Sequence, residues 1–190
     1  MHALFFEVRL KSGHLPHYFE HVARLRPVLE QHTGLKFLDR YTALDDSDLL
    51  LSHQLWESED AIIKWRKDAT HRRSQSAGRQ VHFADYRIRV GARVLHWTSA
   101  QQNPQPPAGI GDDDTYVVAF YSTETVVAPA CASFESVNTE GKFIALAGAD
   151  NYTAARHLLD KNLDAPGLDE AAIYSIRRDY GQFDRGQAPT

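Results

Sequence analysis

The stretch YTALDDSDLLLSHQLWESEDAIIKW, at residues 41–65, decides the fold because its pattern recurs in FESVNTEGKFIALAGADNYTAARHL, at residues 134–158. The two stretches align without a gap at an offset of 93 residues, from residue 41 to residue 134. Each contains, in order, an aromatic residue, a polar turn, an apolar strand, a capping residue and a helix. Only Ala61 and Ala154 are identical, so the likeness is one of pattern. Such a pattern predicts that the chain contains one structural unit twice.

Outward from residues 41–65, the first unit shows the order strand, helix, strand, strand, helix, strand. Alternating apolar residues predict strands, and apolar residues at helical spacing predict helices. The expected strands lie at residues 3–10, 36–44, 49–56 and 86–97. The expected helices lie at residues 15–31, after the capping residue Ser58, and in a short piece restarted at Thr70. This βαββαβ order is that of a ferredoxin-like α+β sandwich.

The third strand, LLLSHQLW at residues 49–56, is apolar on both faces in its first half. A sheet with helices on one side needs only one apolar face, so something else must cover the second. A second copy of the sheet is the expected cover. The sequence leaves open whether that copy comes from the same chain, as a pseudo-dimer, or from a homodimer partner.

A stretch rich in proline and glycine divides the chain. Residues 98–114 have almost no apolar side chains, which is typical of an interdomain linker. We expect a first domain at residues 1–97, a degenerate second domain at 115–181 and a frayed tail at 182–190. Too few residues precede Phe134 in the second domain for a full counterpart of the long first helix.

Composition narrows the possible partners. The 190 residues are 43% hydrophobic and 24% charged, with a formal net charge of −4, which gives no general reason to bind nucleic acid. No apolar run is long enough to cross a bilayer, so no membrane partner is expected either. Cys131 is the single cysteine, which excludes an internal disulfide, and the chain starts on a strand in place of a signal peptide. A reducing, cytoplasmic location is the expectation.

Trp65 and His71 are the residues with the clearest potential for chemistry. Trp65 shares the inward face of the second helix with Ala61 and Ile62, where it either fills the core or forms a pocket wall that stacks on a planar ligand. His71 follows six residues later and is either an exposed residue at a helix start or a proton acceptor at a pocket mouth. The aligned second unit has Leu158 in place of Trp65, so the two copies cannot build the same pocket.

Other histidines are weaker candidates. His53 lies in the apolar third strand, as a core or interface histidine or as a substrate contact. His17 and His21 have the spacing of two metal ligands, with His14 on the same flank, but nothing at a matching position completes a metal site. A solvated flank is therefore expected and no metal is predicted. Phosphate loops, nucleophile elbows and dinucleotide fingerprints are also missing from the sequence, so no cofactor is predicted.

Four segments of the first unit together resemble the antibiotic biosynthesis monooxygenase family of dimeric α+β barrels. They are RLRPVLE at residues 24–30, LLSHQLWESEDA at 50–61, WRKDATHR at 65–72 and FADYRIRV at 83–90. In the second unit, FESV at 134–137 and RDYG at 178–181 fit the same family, whereas the tryptophan-containing helix is missing. The resemblance implies ferredoxin-like units in tandem whose two sheets pack face to face into a dimeric α+β barrel.

The resemblance also implies an activity, because characterised relatives include oxygenases that oxidise phenolic substrates to quinones without a cofactor. We therefore expect a cofactor-independent monooxygenase-like protein that oxidises a small aromatic or quinol-type substrate with O2. In the implied pocket Trp65 is the stacking wall, His71 the proton acceptor and Arg87 an anion stabiliser. The expected site residues are His71 and Arg87 as catalytic groups and Trp65, His53 and Tyr86 as substrate contacts.

Two alternatives stay open. The first is a non-enzymatic ligand-binding or structural α+β barrel, in which the second unit only covers the first sheet. The second is a haem-binding or haem-degrading protein, since some relatives bind haem through a tryptophan, an axial histidine and an asparagine. Trp65 fits that pattern, but the axial position reads Gln75 and the asparagine position reads Val8.

Overall fold

The computed structural model describes residues 1–101, 110, 114–125 and 131–189. The strands are β1 (His2–Leu10), β2 (Leu35–Ala43), β3 (Leu49–Trp56), β4 (Phe83–Thr98), β5 (Tyr116–Ser122), β6 (Cys131–Ser136), β7 (Phe143–Ala149) and β8 (Leu168–Gly181). The helices are α1 (Leu15–Glu30), α2 (Glu59–Lys67), α3 (Ala69–Ala77) and α4 (Tyr152–Asn162), and a π-helical turn at Gly78–His82 follows α3. The predicted βαββαβ order of the first unit is confirmed.

The eight strands form one closed barrel in the order β1-β3-β2-β6-β7-β5-β8-β4. Neighbouring strands are antiparallel throughout. The predicted α+β barrel is therefore confirmed, and the open question of its closure is answered, because both sheets come from one chain. Closure leaves no exposed sheet edge, which removes a surface that would otherwise pair with other chains.

The two units are related by a pseudo-twofold axis at their junctions. Across the β2–β6 junction, Tyr41 pairs with Ser136 and Ala43 with Phe134. In the sequence repeat Tyr41 corresponds to Phe134 and Ala43 to Ser136, so Tyr41 pairs with the equivalent of Ala43, and Ala43 pairs with the equivalent of Tyr41. This reciprocal pairing is the signature of a twofold interface, here formed within one chain. The β4–β8 junction is longer and runs from Arg87 opposite Gly181 to Thr98 opposite Glu170.

Each strand directs alternate side chains into the barrel and onto its outer face. The barrel interior contains a cluster of fully buried residues that includes Phe5, Leu51, Phe134 and Tyr174. On the outer face, α4 covers the second unit through an apolar cluster that includes Leu159. The outer face of the first unit is covered by α1 and α2, which contribute Leu29, Ile62 and Trp65 to another cluster.

The helical cover differs between the units. In the described part of the second unit, no helix lies between β5 and β6 or between α4 and β8, whereas α1 and α3 occupy these places in the first unit. The expectation that the second copy lacks the long first helix agrees with the described residues. The candidate pocket therefore belongs to the first unit, because two of the helices that enclose it have no described equivalent elsewhere.

Two sequence expectations differ from the structure in detail. Asp68, and not Thr70, caps α3, because its carboxylate accepts hydrogen bonds from the backbone N–H groups of Thr70 and His71 at 2.8 and 2.9 Å. β4 extends through Thr98, and most of the expected linker at residues 98–114 lies outside the described residues. None of the described helices is both long and apolar enough to span a membrane.

The tail at residues 182–189 is not frayed. It turns back on the first unit, where Arg185 donates a hydrogen bond to the Tyr86 hydroxyl. Arg66 donates to the Pro189 carbonyl at 3.0 Å, and the backbone N–H of Asp179 donates to Gln187 at 2.8 Å. Polar partners on another part of the chain thus fix a segment whose composition gives no helix or strand signal.

Candidate active site

Two cavities lie between the outer face of the first sheet and its helices. The β8 cavity, of about 100 Å³, is enclosed by Leu4, Ile62, Ile63, Tyr86, Ile88 and Tyr180 among others. The α1 cavity, of about 110 Å³, is enclosed by Tyr18, Val22, Leu25, Leu29, Arg40 and Ser52 among others. The residues that border both cavities are Phe6, Gln54, Trp65, His71, Gln75 and Phe83. Trp65 and His71 therefore stand at the boundary between two mostly apolar spaces.

Trp65 and His71 form a stacked pair. Their ring centroids are 3.9 Å apart and their planes differ by 13°. The capping contact of Asp68 places His71 at the start of α3, from where its ring folds back over the end of α2. The indole is 4% exposed and occupies the inward face of α2, as its spacing predicted. Each ring limits the orientation of the other, so the edge of the imidazole is held at the cavities.

The hydrogen bonds of His71 define its tautomer. Nδ1 lies 3.0 Å from the carbonyl oxygen of Trp65, which can only accept a hydrogen bond. Nδ1 therefore carries the proton, and Nε2 keeps its lone pair. The amide nitrogen of Gln75 lies 3.2 Å from Nδ1 and 3.5 Å from Nε2. Of the two ring nitrogens of His71, Nε2 is therefore the one that can accept a proton.

Burial keeps His71 neutral. Desolvation lowers its pKa to about 4, and the Trp65 carbonyl and Asp68 oppose this shift without reversing it. Nearly all molecules of the protein hold an uncharged imidazole here at neutral pH. A general base must be unprotonated before the reaction, and a neutral imidazole meets this requirement.

Tyr86 joins Trp65 and His71 at the β8 cavity. Tyr86, Ile88 and Val90 alternate along β4 on the outer face of the sheet, and all three border this cavity. The structure thus brings together three of the five residues expected from the sequence.

Arg87 lies elsewhere. As the residue after Tyr86 on a strand, it points to the opposite face of the sheet. Its guanidinium binds Asp179 through two hydrogen bonds of 2.9 and 2.5 Å, and this contact raises the pKa of Arg87. The side chain is 55% exposed and borders neither cavity. Its cationic charge is balanced by Asp179 and is not directed at the Trp65 pocket.

His53 also lies on the opposite face, inside the barrel, where it is 0% exposed. Its ring stacks on Phe5 with centroids 4.7 Å apart, and its Nε2 lies 2.8 Å from the Tyr121 hydroxyl. Burial lowers the pKa of His53 to about 4. These contacts correspond to the core histidine that the sequence offered as one of two interpretations, and they place it away from both cavities.

Several cavity residues were not expected from the sequence. Gln54 borders both cavities and holds its amide by accepting from the Trp56 indole at 2.9 Å. Arg178 and Tyr180 reach the β8 cavity from the second unit, where Arg178 pairs with Glu59 at 2.6 Å. The sequence does contain a signal for Gln54, because it follows His53 on β3 and adjacent strand residues point to opposite faces of the sheet. No local signal indicates Arg178 or Tyr180, because only barrel closure brings β8 beside β4.

The flank of α1 with three histidines is covered by a fourth. The ring centroid of His82 lies 5.2, 5.6 and 5.3 Å from those of His14, His17 and His21. Burial and the neighbouring imidazoles lower the pKa of His82. Across the described ranges, however, no three ligating side chains are arranged to hold a metal ion. We assign no metal to this cluster.

The chain is similar in sequence to known proteins. Residues 1–77 match the sequence model of the family described as antibiotic biosynthesis monooxygenase. The resemblance noted from the sequence is thereby confirmed over most of the first unit. The whole chain is similar to a curated protein of Pyricularia oryzae, strain 70-15, named jasmonate monooxygenase ABM, at 25% identity over 216 aligned residues covering 100% of this chain and 97% of the relative. Together these matches support a monooxygenase-like function.

Solved structures extend the likeness in fold to most of the chain. An aldoxime dehydratase in complex with butyraldoxime matches with a TM-score of 0.55 at 8% identity, covering 92% of this chain and 78% of that one. A second aldoxime dehydratase structure matches with a TM-score of 0.53 at 8% identity, covering 92% of this chain and 80% of that one. At this identity the likeness is one of fold alone.

Proposed function

We propose that this protein is a monooxygenase that oxidises a small aromatic or quinol-type substrate with O2, without a cofactor of its own. The observation that carries the proposal is the neutral imidazole of His71, stacked on Trp65 between two apolar cavities. Trp65 supplies a flat apolar wall, and Nε2 of His71 supplies a proton acceptor. Tyr86 supports the same cavity from the sheet.

The chemistry requires a substrate that can supply the electrons itself. A phenolic ring with an activated methylene loses a proton to Nε2 of His71, and the resulting anion reduces O2. One oxygen atom enters the product as the carbonyl that replaces the methylene hydrogens, and the other leaves as water. The substrate supplies all four electrons, so no external reductant is needed. Apolar walls exclude competing water and strengthen the interaction between the anion and nearby donors.

The name of the curated relative suggests a second substrate to test. That protein is named for jasmonate, which differs chemically from a phenol. Insertion of one oxygen atom into a C–H bond of such a substrate consumes two electrons that the substrate does not supply. Trials with jasmonate therefore include a reductant such as ascorbate, whereas trials with phenolic substrates do not.

The two alternatives are less well supported. A purely structural barrel would be favoured if Trp65 were enclosed by side chains with no adjoining space, but two cavities border it. A haem protein requires an axial ligand, and Gln75 occupies the position of the family's histidine.

The test is oxygen consumption by the purified full chain with a panel of phenolic substrates that carry an activated methylene. With ¹⁸O2, the product of a monooxygenase gains one labelled atom, whereas an oxidase leaves the product unlabelled. We expect His71→Ala to lower the rate by roughly 100-fold or more. The matched control is His157→Ala, on the exposed side of α4 in the second unit, which we expect to keep full activity. Full activity of His71→Ala would remove this histidine from the mechanism.

A further inference from the structure

Arg40, at the floor of the α1 cavity, forms no ion pair with a carboxylate of the described residues. Its Nε is buried and has no hydrogen-bond partner among the described residues. Its guanidinium contacts the hydroxyl of Tyr18, which is neutral. Arg40 as a whole is half-buried. Partial desolvation of a cation without a counter-ion is costly, and arginine cannot lose its proton to relieve that cost. Such an arrangement is typical of a site that receives an anion from outside.

The sheet places Arg40 directly beneath the candidate active site. Arg40 on β2 pairs with Ser52 on β3, and Ser52 pairs with Phe6 on β1. Paired residues of adjacent strands lie side by side on the same face. Arg40 and Ser52 therefore share the outer face with Phe6, which borders both cavities next to Trp65. A ligand anchored at Arg40 reaches the boundary between the cavities across one strand.

Two neutral donors stand beside Arg40. Burial raises the pKa of Tyr18, so this phenol keeps its proton. Because its oxygen accepts from Arg40, its O–H remains available to a ligand. The hydroxyl of Ser52, which is 3% exposed, accepts from Gln54 at 3.4 Å and likewise keeps its own proton to donate. A carboxylate, with two oxygens that only accept, fits a guanidinium flanked by two hydroxyl donors.

The remaining walls of the α1 cavity select for an amphipathic molecule. No aspartate or glutamate borders this cavity in the described part of the chain, and its two arginines are Arg26 and Arg40. Val22, Leu25 and Leu29 of α1 form an apolar side. An anion with an apolar body is favoured by both features, whereas a fully polar anion is favoured by the first feature alone and a cation by neither.

We propose that the α1 cavity binds the carboxylate of an amphipathic acid, with Arg40 as the anchor, and directs its apolar body to Trp65 and His71. The proposal rests on the proposed function for the role of this acid as the substrate. It defines a class of substrate, a small apolar molecule with one carboxylate. A phenolic acid and a jasmonate-like acid both belong to this class.

The experiment compares acids with their methyl esters, which keep the apolar body and lack the charge. Isothermal titration calorimetry of the full chain is performed with jasmonate, 1-naphthylacetate and decanoate and with the three esters. We expect at least one acid to bind roughly tenfold or more tightly than its ester. Arg40→Gln should abolish this preference. Tyr18→Phe, which removes one donor and keeps the ring, should weaken binding of the acid alone.

Arg24→Gln is the matched control, because Arg24 is exposed on α1, pairs with Glu20 and does not border the α1 cavity. We expect this variant to keep the acid preference. If no acid binds the wild-type protein more tightly than its ester, or if Arg40→Gln keeps the preference, the proposal is overturned. Oxygen consumption separates the two proposals. Turnover without an acid preference refutes the carboxylate site alone, and an acid preference without turnover on any substrate refutes the monooxygenase alone.

Discussion

Two histidines illustrate how one physical cause leads to different roles. Burial lowers the pKa of both His53 and His71 to about 4, because a low dielectric penalises the charged imidazole. His53 is enclosed by Phe5 and Tyr121 inside the barrel, where a neutral ring only has to fit. His71 reaches the same protonation state beside two cavities, where its unprotonated Nε2 can meet a ligand. Location, and not pKa, separates a core residue from a candidate base.

The buried state of His53 predicts a loss of stability in mild acid. Its pKa is about 4 in the folded protein and 6.5 when unfolded, so protons bind the unfolded chain first as the pH falls. The contribution is complete above pH 6.5 and is lost progressively as the pH falls towards 4. Between pH 7 and 5 we expect His53 to lower the free energy of unfolding by about 2 kcal/mol. Urea denaturation at a series of pH values measures this fall.

His53→Gln provides the comparison, because glutamine can keep a hydrogen bond to Tyr121 and does not titrate. Its free energy of unfolding should fall less between pH 7 and 5 than that of the wild-type protein. An identical pH dependence in the two proteins would show that His53 is not the group responsible.

Among the secondary-structure elements, α3 is the one that places His71 against Trp65 at the end of α2. α2 ends at Lys67, and Asp68 begins α3 at once by accepting from two backbone N–H groups. The tight junction brings His71 back over Trp65, within one turn of the new helix. The tail at residues 182–189 forms hydrogen bonds with Tyr86 of the sheet and with Arg66 of α2. The β8 cavity therefore depends on a helix cap and on a docked tail as much as on its own walls.

The cap of α3 is testable by substitution. Asp68→Ala removes the acceptor for the N–H groups of Thr70 and His71 and should lower the free energy of unfolding by about 1 kcal/mol. Because α3 positions His71, oxygen consumption should fall as well. Asp68→Ser keeps a capping oxygen and should recover most of both losses. Equal stability of Asp68→Ala and the wild-type protein in urea denaturation would argue that the cap contributes little.

For the whole molecule, the duplication provides a cover for the second apolar face of each sheet. Each four-stranded sheet has a second apolar face, and the barrel buries both faces against each other, with Phe5 and Leu51 opposite Phe134 and Tyr174. Since the second unit supplies this cover, its own helices are not needed to enclose a pocket. It still contributes Arg178 and Tyr180 to the first unit's cavity, so the two units share one site.

This dependence predicts the behaviour of the isolated first unit. A fragment of residues 1–101 exposes the face that contains Phe5, Tyr41 and Leu51, all of which are buried in the full chain. A soluble monomer rarely exposes so continuous an apolar surface, so we expect the fragment to form dimers or larger species. Size-exclusion chromatography with light scattering measures its mass. A stable monomer with the helix content of the native unit would contradict this expectation.

Part of the site follows from sequence periodicity alone. Consecutive strand residues point to opposite faces, so Tyr86 and Arg87 cannot border the same cavity, and neither can His53 and Gln54. Applied to β3 and β4, this rule allows only one residue of each pair at the site, and the structure shows that Tyr86 and Gln54 are the ones that border the cavities. Trp65 is likewise placed by the helical spacing of α2. The stacking of His71 on Trp65 cannot be predicted from periodicity, because it depends on the angle between α2 and α3.

The sequence by itself determined the repeated unit, the order of its strands and helices and the second apolar face, because periodicity and caps are local properties of a chain. Only the tertiary structure decided that the barrel closes within one chain and that β8 and the tail complete the first unit's cavity. It also decided that Arg40, Tyr18 and Ser52 meet beneath Trp65. These contacts join residues that are distant in the chain, and their distances depend on strand register and helix packing, which no local pattern encodes.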